Sequence, residues 1–175
     1  MGVEGYEANP KYANLMAGYL AGVTAEERRA IPSRELLDRA MHNLETGIAV
    51  VGLLKQFDES LMLMRRKLGW RLYPLYLRAK SNSTRPEIED IPRSTRKAIR
   101  EANHVDQKLY EYAQNRFQRE WAQHPDLARQ VARFRRINQY YQMYGGPLIN
   151  VARIVRNLLH GRAPFHEYRI HDLTD

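Results

Sequence analysis

Between Arg78 and Arg85 the chain reads Arg-Ala-Lys-Ser-Asn-Ser-Thr-Arg, placing three cations, three hydroxyls and one carboxamide within eight residues. Guanidinium and ammonium groups beside short hydroxyl donors suit a phosphate-type oxyanion, because charge-assisted hydrogen bonds neutralise and orient it together. Arg93, Arg96, Lys97 and Arg100 add a second basic row on the helix expected next. A plain solvated basic loop has the same composition, so these residues alone leave both readings open.

Other candidate chemistry is weaker. Asp58 and Glu59 form a carboxylate pair that could do acid–base work, but acids in a first helical turn more simply complement the helix dipole. His166-Glu167 with His171 resembles a zinc signature, yet the second histidine falls at i+5 where a shared helix face needs i+4. No metal site is expected there. His42, beside core positions of a helix, reads as a structural histidine. Tyr110, Tyr112, Phe117 and Trp121, and the pair Tyr140-Tyr141, have core spacing and read as packing rather than base-stacking platforms. The sequence contains no G-x-x-x-x-G-K-[ST], no G-x-G-x-x-G and no G-x-S-x-G.

The distribution of charge sharpens the first signal. Residues 1–59 carry 6 basic and 9 acidic side chains, residues 60–100 carry 11 and 3, and residues 101–175 carry 11 and 8. One segment therefore holds an excess equal to the net +8 of all 175 residues, which points to an anionic partner. With 43% apolar and 27% charged residues the chain can build a core. No apolar run approaches the length of a membrane span, and the N-terminus lacks the basic start and apolar stretch of a secretory signal. The absence of cysteine removes disulfides, thiolate catalysis and thiolate metal sites, and fits a reducing compartment.

The elements that must position the basic loop are mostly helical. Asn9-Pro10 reads as a helix start running to about Leu20. Ser33 is expected to cap a second helix with Leu36, Leu37, Ala40 and Leu44 inward. Gly47-Ile48-Ala49-Val50-Val51-Gly52 reads as a short, fully buried strand. A third helix from about Phe57 shows Leu54, Phe57, Leu61, Met64 and Leu68 at helical spacing and stops at Gly69. Residues 70–92, broken by Pro74, Pro86 and Pro92, read as a long loop. A helix with Val105, Leu109, Tyr112, Phe117 and Trp121 inward follows, then one from Pro125 with Leu127, Val131, Phe134 and Tyr141. Gly145-Gly146-Pro147 turns into a last apolar helix over 148–160. The expected fold is mainly α with one isolated parallel-type strand, in a single partial domain over 1–175: helices plus strand over 1–69, basic loop over 70–92, helical part over 93–175. A lone buried strand needs hydrogen-bonding neighbours, so it implies a partner chain or an earlier part of an α/β fold.

Four segments, in order, carry a family resemblance. Val51-Gly-Leu-Leu-Lys-Gln-Phe-Asp-Glu-Ser-Leu61, running on to Leu68-Gly69-Trp70, resembles a recurrent stretch of the carbohydrate sulfotransferases, the broad family that includes the heparan sulfate 2-O type. Asn14 with Leu20-Ala21-Gly22, then Leu36, Ala40, Asn43 and Leu44, and later Leu109-Tyr110-Glu111-Tyr112-Ala113 with Phe117, match in the same order over roughly residues 9–121.

The resemblance implies transfer of a sulfuryl group from 3′-phosphoadenosine 5′-phosphosulfate to a hydroxyl, usually on a sugar. It implies no metal, and it makes this chain the C-terminal part of an α/β fold resembling nucleotide kinases. It also makes Lys80, Ser81, Ser83, Thr84 and Arg85, with Arg78, candidate donor-contacting residues. The family's phosphosulfate-binding loop and catalytic base lie upstream of the matched segments, so no catalytic residue is assigned, the isolated chain is expected to be inactive, and a missing N-terminal half or partner subunit is implied. Lys55 stands where relatives often have an acid. A bacterial member would be cytoplasmic. Two alternatives stand beside this reading: a small basic helical module binding nucleic acid, and a subunit that completes its sheet with a partner.

Overall fold

The computed structural model describes residues 12–78 and 88–145. Among them are seven α-helices: α1 Leu15–Ala21, α2 Ala25–Ala30, α3 Ser33–Gly47, α4 Phe57–Lys67, α5 Arg93–Ala102, α6 His104–Ala122 and α7 Leu127–Tyr140. Short 3-10 turns occur at Leu54–Gln56 and Ile88–Asp90, and a π-turn at Tyr141–Gly145 extends α7. Helix α3 packs against α1 and α6, while α4 packs against α7. Leu36, Ala40, Leu44, Val51, Leu53, Met62, Leu63, Leu109, Phe117, Val131 and Phe134 form one buried apolar cluster. The Asn9-Pro10 helix start and the expected helix over 148–160 lie outside the described residues, as do His166, Glu167 and His171.

Two helix starts are capped by each other's neighbours. Asn14 sits in the left-handed region at φ 50°, a conformation that asparagine tolerates better than most residues. There its Oδ1 accepts from the backbone N–H groups of Val105 and Asp106, the first turn of α6. Asp106 returns the favour to α1: its carboxylate accepts from Met16 N–H at 3.2 Å and Ala17 N–H at 2.7 Å. Helical N-termini leave orphan donors and a partial positive charge, so both ends are satisfied across the chain. Helix α2 has a local solution, the reciprocal capping box of Thr24 and Glu27. The Schellman-type end of α4 has Gly69 at φ 68° and Trp70 N–H donating to Arg65 O.

Three expectations require correction. Gly47 is the last residue of α3, and residues 48–53 bend at Ala49 and form no strand among the described residues. Nor is the run fully buried: Val51 is 7% exposed, Ile48 37%. Side chains replace the missing ladder. The buried Arg116 guanidinium donates to Leu44 O and, at 2.6 Å, to Ile48 O, while Ser60 Oγ accepts from Leu53 N–H and donates to a carbonyl nearby.

The inward face of α4 is also different. Ser60, Met62 and Leu63 are buried, whereas Phe57 and Leu68 are exposed and Leu54 is 86% exposed. Burying Ser60 to hold the Leu53 peptide turns the helix away from its most regular apolar stripe. Third, Ser33 begins α3 as its first helical residue and makes no side-chain cap; Pro32 occupies the cap position.

Arg116 is 8% exposed in its side chain and faces Glu120 at 3.0 Å and Glu45 at 3.7 Å. Removing it strands both carbonyls and a half-buried carboxylate. Arg116→Met is expected to lower unfolding stability by about 3 kcal/mol in urea titration. Asn14→Ala should cost about 2 kcal/mol, and Asn14→Gly less, because glycine keeps the left-handed backbone while losing the cap.

Candidate functional site

The basic loop begins from a backbone held at nearly every residue. Arg65 donates to Arg71 O at 3.0 Å and to Leu72 O at 3.2 Å, and its guanidinium lies 4.7 Å from the Tyr73 ring centroid. Tyr73 stacks on Phe134 at 6.0 Å. Pro74 then sits at the centre of a three-residue turn closed by Leu75 N–H to Tyr73 O at 2.9 Å.

Tyr76 is fixed at both ends. Its N–H donates to Oδ1 of buried Asn138 at 2.9 Å, its ring meets Phe57 edge-on at 5.0 Å, and its hydroxyl donates to Asp58 Oδ1 at 2.8 Å. Arg135 completes the cluster, donating to Asp58 Oδ2 at 2.8 Å and Glu59 Oε1 at 2.6 Å. Asp58 and Glu59 are therefore engaged by one guanidinium and one phenol. They tie α4 to α7, and no paired acid–base geometry is present.

Burial first, then the hydrogen bond and charge of Asp58, push the Tyr76 phenol above its ordinary value, with the neighbouring Arg78 guanidinium opposing them. Arg135 is raised too, chiefly by its hydrogen bond to Asp58, against the pull of desolvation.

Arg78, exposed, is the described residue that leads into the loop. The other candidate contacts, Lys80, Ser81, Ser83, Thr84 and Arg85, lie outside the described residues. Beyond them the Ile88–Asp90 turn leads through Pro92 into α5. On α5, Arg93, Arg96, Lys97 and Arg100 recur at i, i+3, i+4 and i+7, a continuous stripe along one helix face. The first turn of α5 contains no acid. Lys97 meets Glu101 at 3.8 Å, but both side chains are largely exposed, so this pair neutralises little. Asn103 and Gln107 bind the last carbonyls of α5, Ile99 O at 2.8 Å and Arg100 O at 2.6 Å, and join it to α6. In sequence, Arg78 on the pinned backbone precedes residues 79–87, which lie outside the described residues, and the α5 stripe follows them.

The remaining candidates resolve otherwise. His42 is exposed on α3. Phe117 is buried and stacked on Trp121 at 6.1 Å, whereas Tyr140 is 59% exposed and does not pack as its spacing suggests. Among the described residues no group of three His, Cys, Asp or Glu side chains could hold a metal, and no helix is long and apolar enough to cross a membrane. A cleft of about 230 Å³ is lined by Tyr12, Leu15, Tyr19, Val23 and Arg28 among others, all from residues 12–28 and none from the basic segment.

Sequence reasoning missed Tyr76, Arg135 and Asn138 as the clamp on the loop. Tyr76 and Arg135 lie 18 and 77 residues from Asp58, and nothing local marks them. Helix α2 did carry a readable signal, Thr24 followed three residues later by Glu27.

Comparison with protein families defines the class as a carbohydrate sulfotransferase. The family model for galactose-3-O-sulfotransferase matches residues 6–165, and the chain belongs to that family. The heparan sulfate 2-O type is no part of that match. No curated protein and no solved structure matches the chain. Residues that carried the resemblance prove to be the geometric pins: Asn14 caps α6, Asn43 Nδ2 donates to Leu20 O at 2.8 Å, Asp58 holds Tyr76, and Ser60 holds Leu53.

Tyr76→Phe removes one hydrogen bond and should cost about 1 kcal/mol at neutral pH. The folded chain holds this phenol proton more tightly than the unfolded chain does. The contribution is therefore whole below the ordinary tyrosine value of 10.0 and is lost as pH rises through the raised value. Denaturation curves at neutral and strongly alkaline pH should show a steeper alkaline loss in the parent chain than in the variant.

Proposed function

We propose that this chain forms part of the binding site for 3′-phosphoadenosine 5′-phosphosulfate in transfer of a sulfuryl group to a carbohydrate hydroxyl, galactose being the acceptor sugar that the family name suggests. The observation that carries the reading is the family match over residues 6–165, which spans the basic segment with both of its anchors. The donor is a polyanionic substrate, and the +8 excess of residues 60–100 answers it in kind. Arg78, Lys80, Ser81, Ser83, Thr84 and Arg85 contact its phosphates in this reading. No metal is used.

In the transfer, the acceptor oxygen forms a bond to sulfur as the bond from sulfur to the bridging phosphate oxygen breaks. The acceptor proton passes to a base, and the electron pair leaves with adenosine 3′,5′-bisphosphate. Cations near the leaving phosphate stabilise the charge that develops there. By the family resemblance, the leaving-group contacts and the base come in this reading from a further part of an α/β, nucleotide-kinase-like fold, on the same polypeptide or a partner.

Calorimetric titration with adenosine 3′,5′-bisphosphate tests the site. Saturable binding that AMP does not reproduce is expected, weakened about tenfold by Lys80→Ala or Arg85→Ala. The chain alone should show no turnover of the phosphosulfate donor. Absence of bisphosphate binding together with tight, steeply salt-dependent binding of single-stranded RNA would replace this reading with a nucleic-acid module.

A further inference from the structure

Helix α7 carries four arginines and no acidic residue between Leu127 and Tyr140. Arg135 is engaged by Asp58 and Glu59. Arg129, Arg133 and Arg136 are exposed, and their guanidinium groups make no ion pair or hydrogen bond with any described residue. The nearest acid in sequence, Asp126, is held by Arg66 at 2.8 Å and by Gln130 at 2.7 Å. At about 3.6 residues per turn, the three arginines and Tyr140 fall in one stripe, opposite the buried Leu127, Val131, Phe134 and Asn138. Beyond the helix, Tyr144 in the π-turn is 62% exposed. From Arg129 the stripe spans about 10 Å to Arg136 and about 16 Å to Tyr140. These cations do not support the core: they stand on a packed helix and face away from it.

We propose that this face of α7 binds an acidic glycan, a sugar chain carrying carboxylate or sulfate groups, as the extended part of the acceptor. The proposal rests on the carbohydrate acceptor proposed above and adds a charge requirement to it. Charge complementarity selects an anion, and the length of the row selects an extended one, since a compact anion reaches only part of it. All three cations are arginine, whose planar guanidinium pairs with an oxyanion through two parallel N–H donors, as lysine cannot. Tyr140 and Tyr144 present exposed rings at one end of the row, where the C–H face of a sugar can pack. A bilayer surface fits less well, because the exposed positions between Arg129 and Tyr140 include no Leu, Ile, Phe or Trp to insert. A single-stranded nucleic acid would use the same charge and rings, and the match to a carbohydrate-acting family favours the glycan.

Calorimetric titration of the intact chain with an oligogalacturonide, against a neutral galactan oligosaccharide of equal length, tests the proposal. Saturable binding of the acidic glycan is expected, weakening as salt rises, with the neutral chain at least about tenfold weaker. Arg133→Gln, at the centre of the row, should weaken it about fivefold with an unchanged circular dichroism spectrum. Arg34→Gln removes the same charge from an exposed position on α3 and should leave the affinity within about twofold of the parent. No binding of the acidic glycan, or equal binding of the neutral one, overturns the proposal. So does equal weakening by the two variants, which marks diffuse charge and not a site. Tighter binding of single-stranded RNA at matched salt, lost in Arg133→Gln, also overturns it and makes the face a nucleic-acid surface. Titrating the same samples with adenosine 3′,5′-bisphosphate keeps the two readings apart. The donor site fails if the parent chain takes no bisphosphate, whatever the glycan does, and the α7 site fails if Arg133→Gln leaves glycan binding unchanged.

Discussion

The structure depends on one buried guanidinium. Arg116 sits on α6 and reaches the C-terminal end of α3, where helical carbonyls lack internal partners and carry partial negative charge. A cation there is favoured by the dipole but opposed by its own desolvation. Glu120 at 3.0 Å and Glu45 at 3.7 Å offset that cost. Because Arg116 fixes both Leu44 O and Ile48 O, it sets the direction in which the chain leaves α3. That direction delivers Val51 and Leu53 into the core and brings Leu53 to Ser60. Ser60 then fixes α4, whose Asp58 and Glu59 receive Arg135 and Tyr76. The clamp on Tyr76 is thus several steps downstream of the Arg116 contact.

The same economy recurs elsewhere. Where a sheet would satisfy backbone groups through ladders, this chain uses short polar side chains reaching across large sequence separations. Asn14 and Asp106 cap each other's helices, Ser60 binds the Leu53 peptide, and Asn138 binds the Tyr76 peptide. Each bond contributes only about 1 kcal/mol net, but leaving its buried backbone partner unsatisfied costs more than the bond contributes. These polar pins fix the direction of segments around an apolar core of leucines, Met62, Phe117 and Phe134.

Legibility follows from the range of the deciding interaction. Helices α3, α4, α6 and α7 were readable because amphipathic periodicity is local; Leu36, Ala40, Leu44, Leu109, Phe117, Val131 and Phe134 are buried as their spacing requires. The short α2 offered no periodicity, only its Thr24–Glu27 box. The inward face of α4 was misjudged because a serine, not a leucine, occupies its centre. The run after α3 reads as a strand from its β-branched residues, and its lack of a ladder was not legible, since Arg116 lies 68 residues from Ile48. At the candidate site the cations were legible from type and density. Their clamp was not, because Tyr76 joins partners 18 and 62 residues away.

The clamp fixes the backbone as far as Tyr76. A cationic side chain on an unanchored segment samples many positions, and binding an anion must then offset the entropy of ordering the backbone as well as the side chain. Here Tyr76, held through its N–H, ring and hydroxyl, lies two residues before Arg78. On the far side, α5 is locked to α6 through Asn103 and Gln107. The nine residues 79–87 run between those anchors. Side chains presented from segments fixed to packed helices have less backbone entropy to lose when they bind a partner.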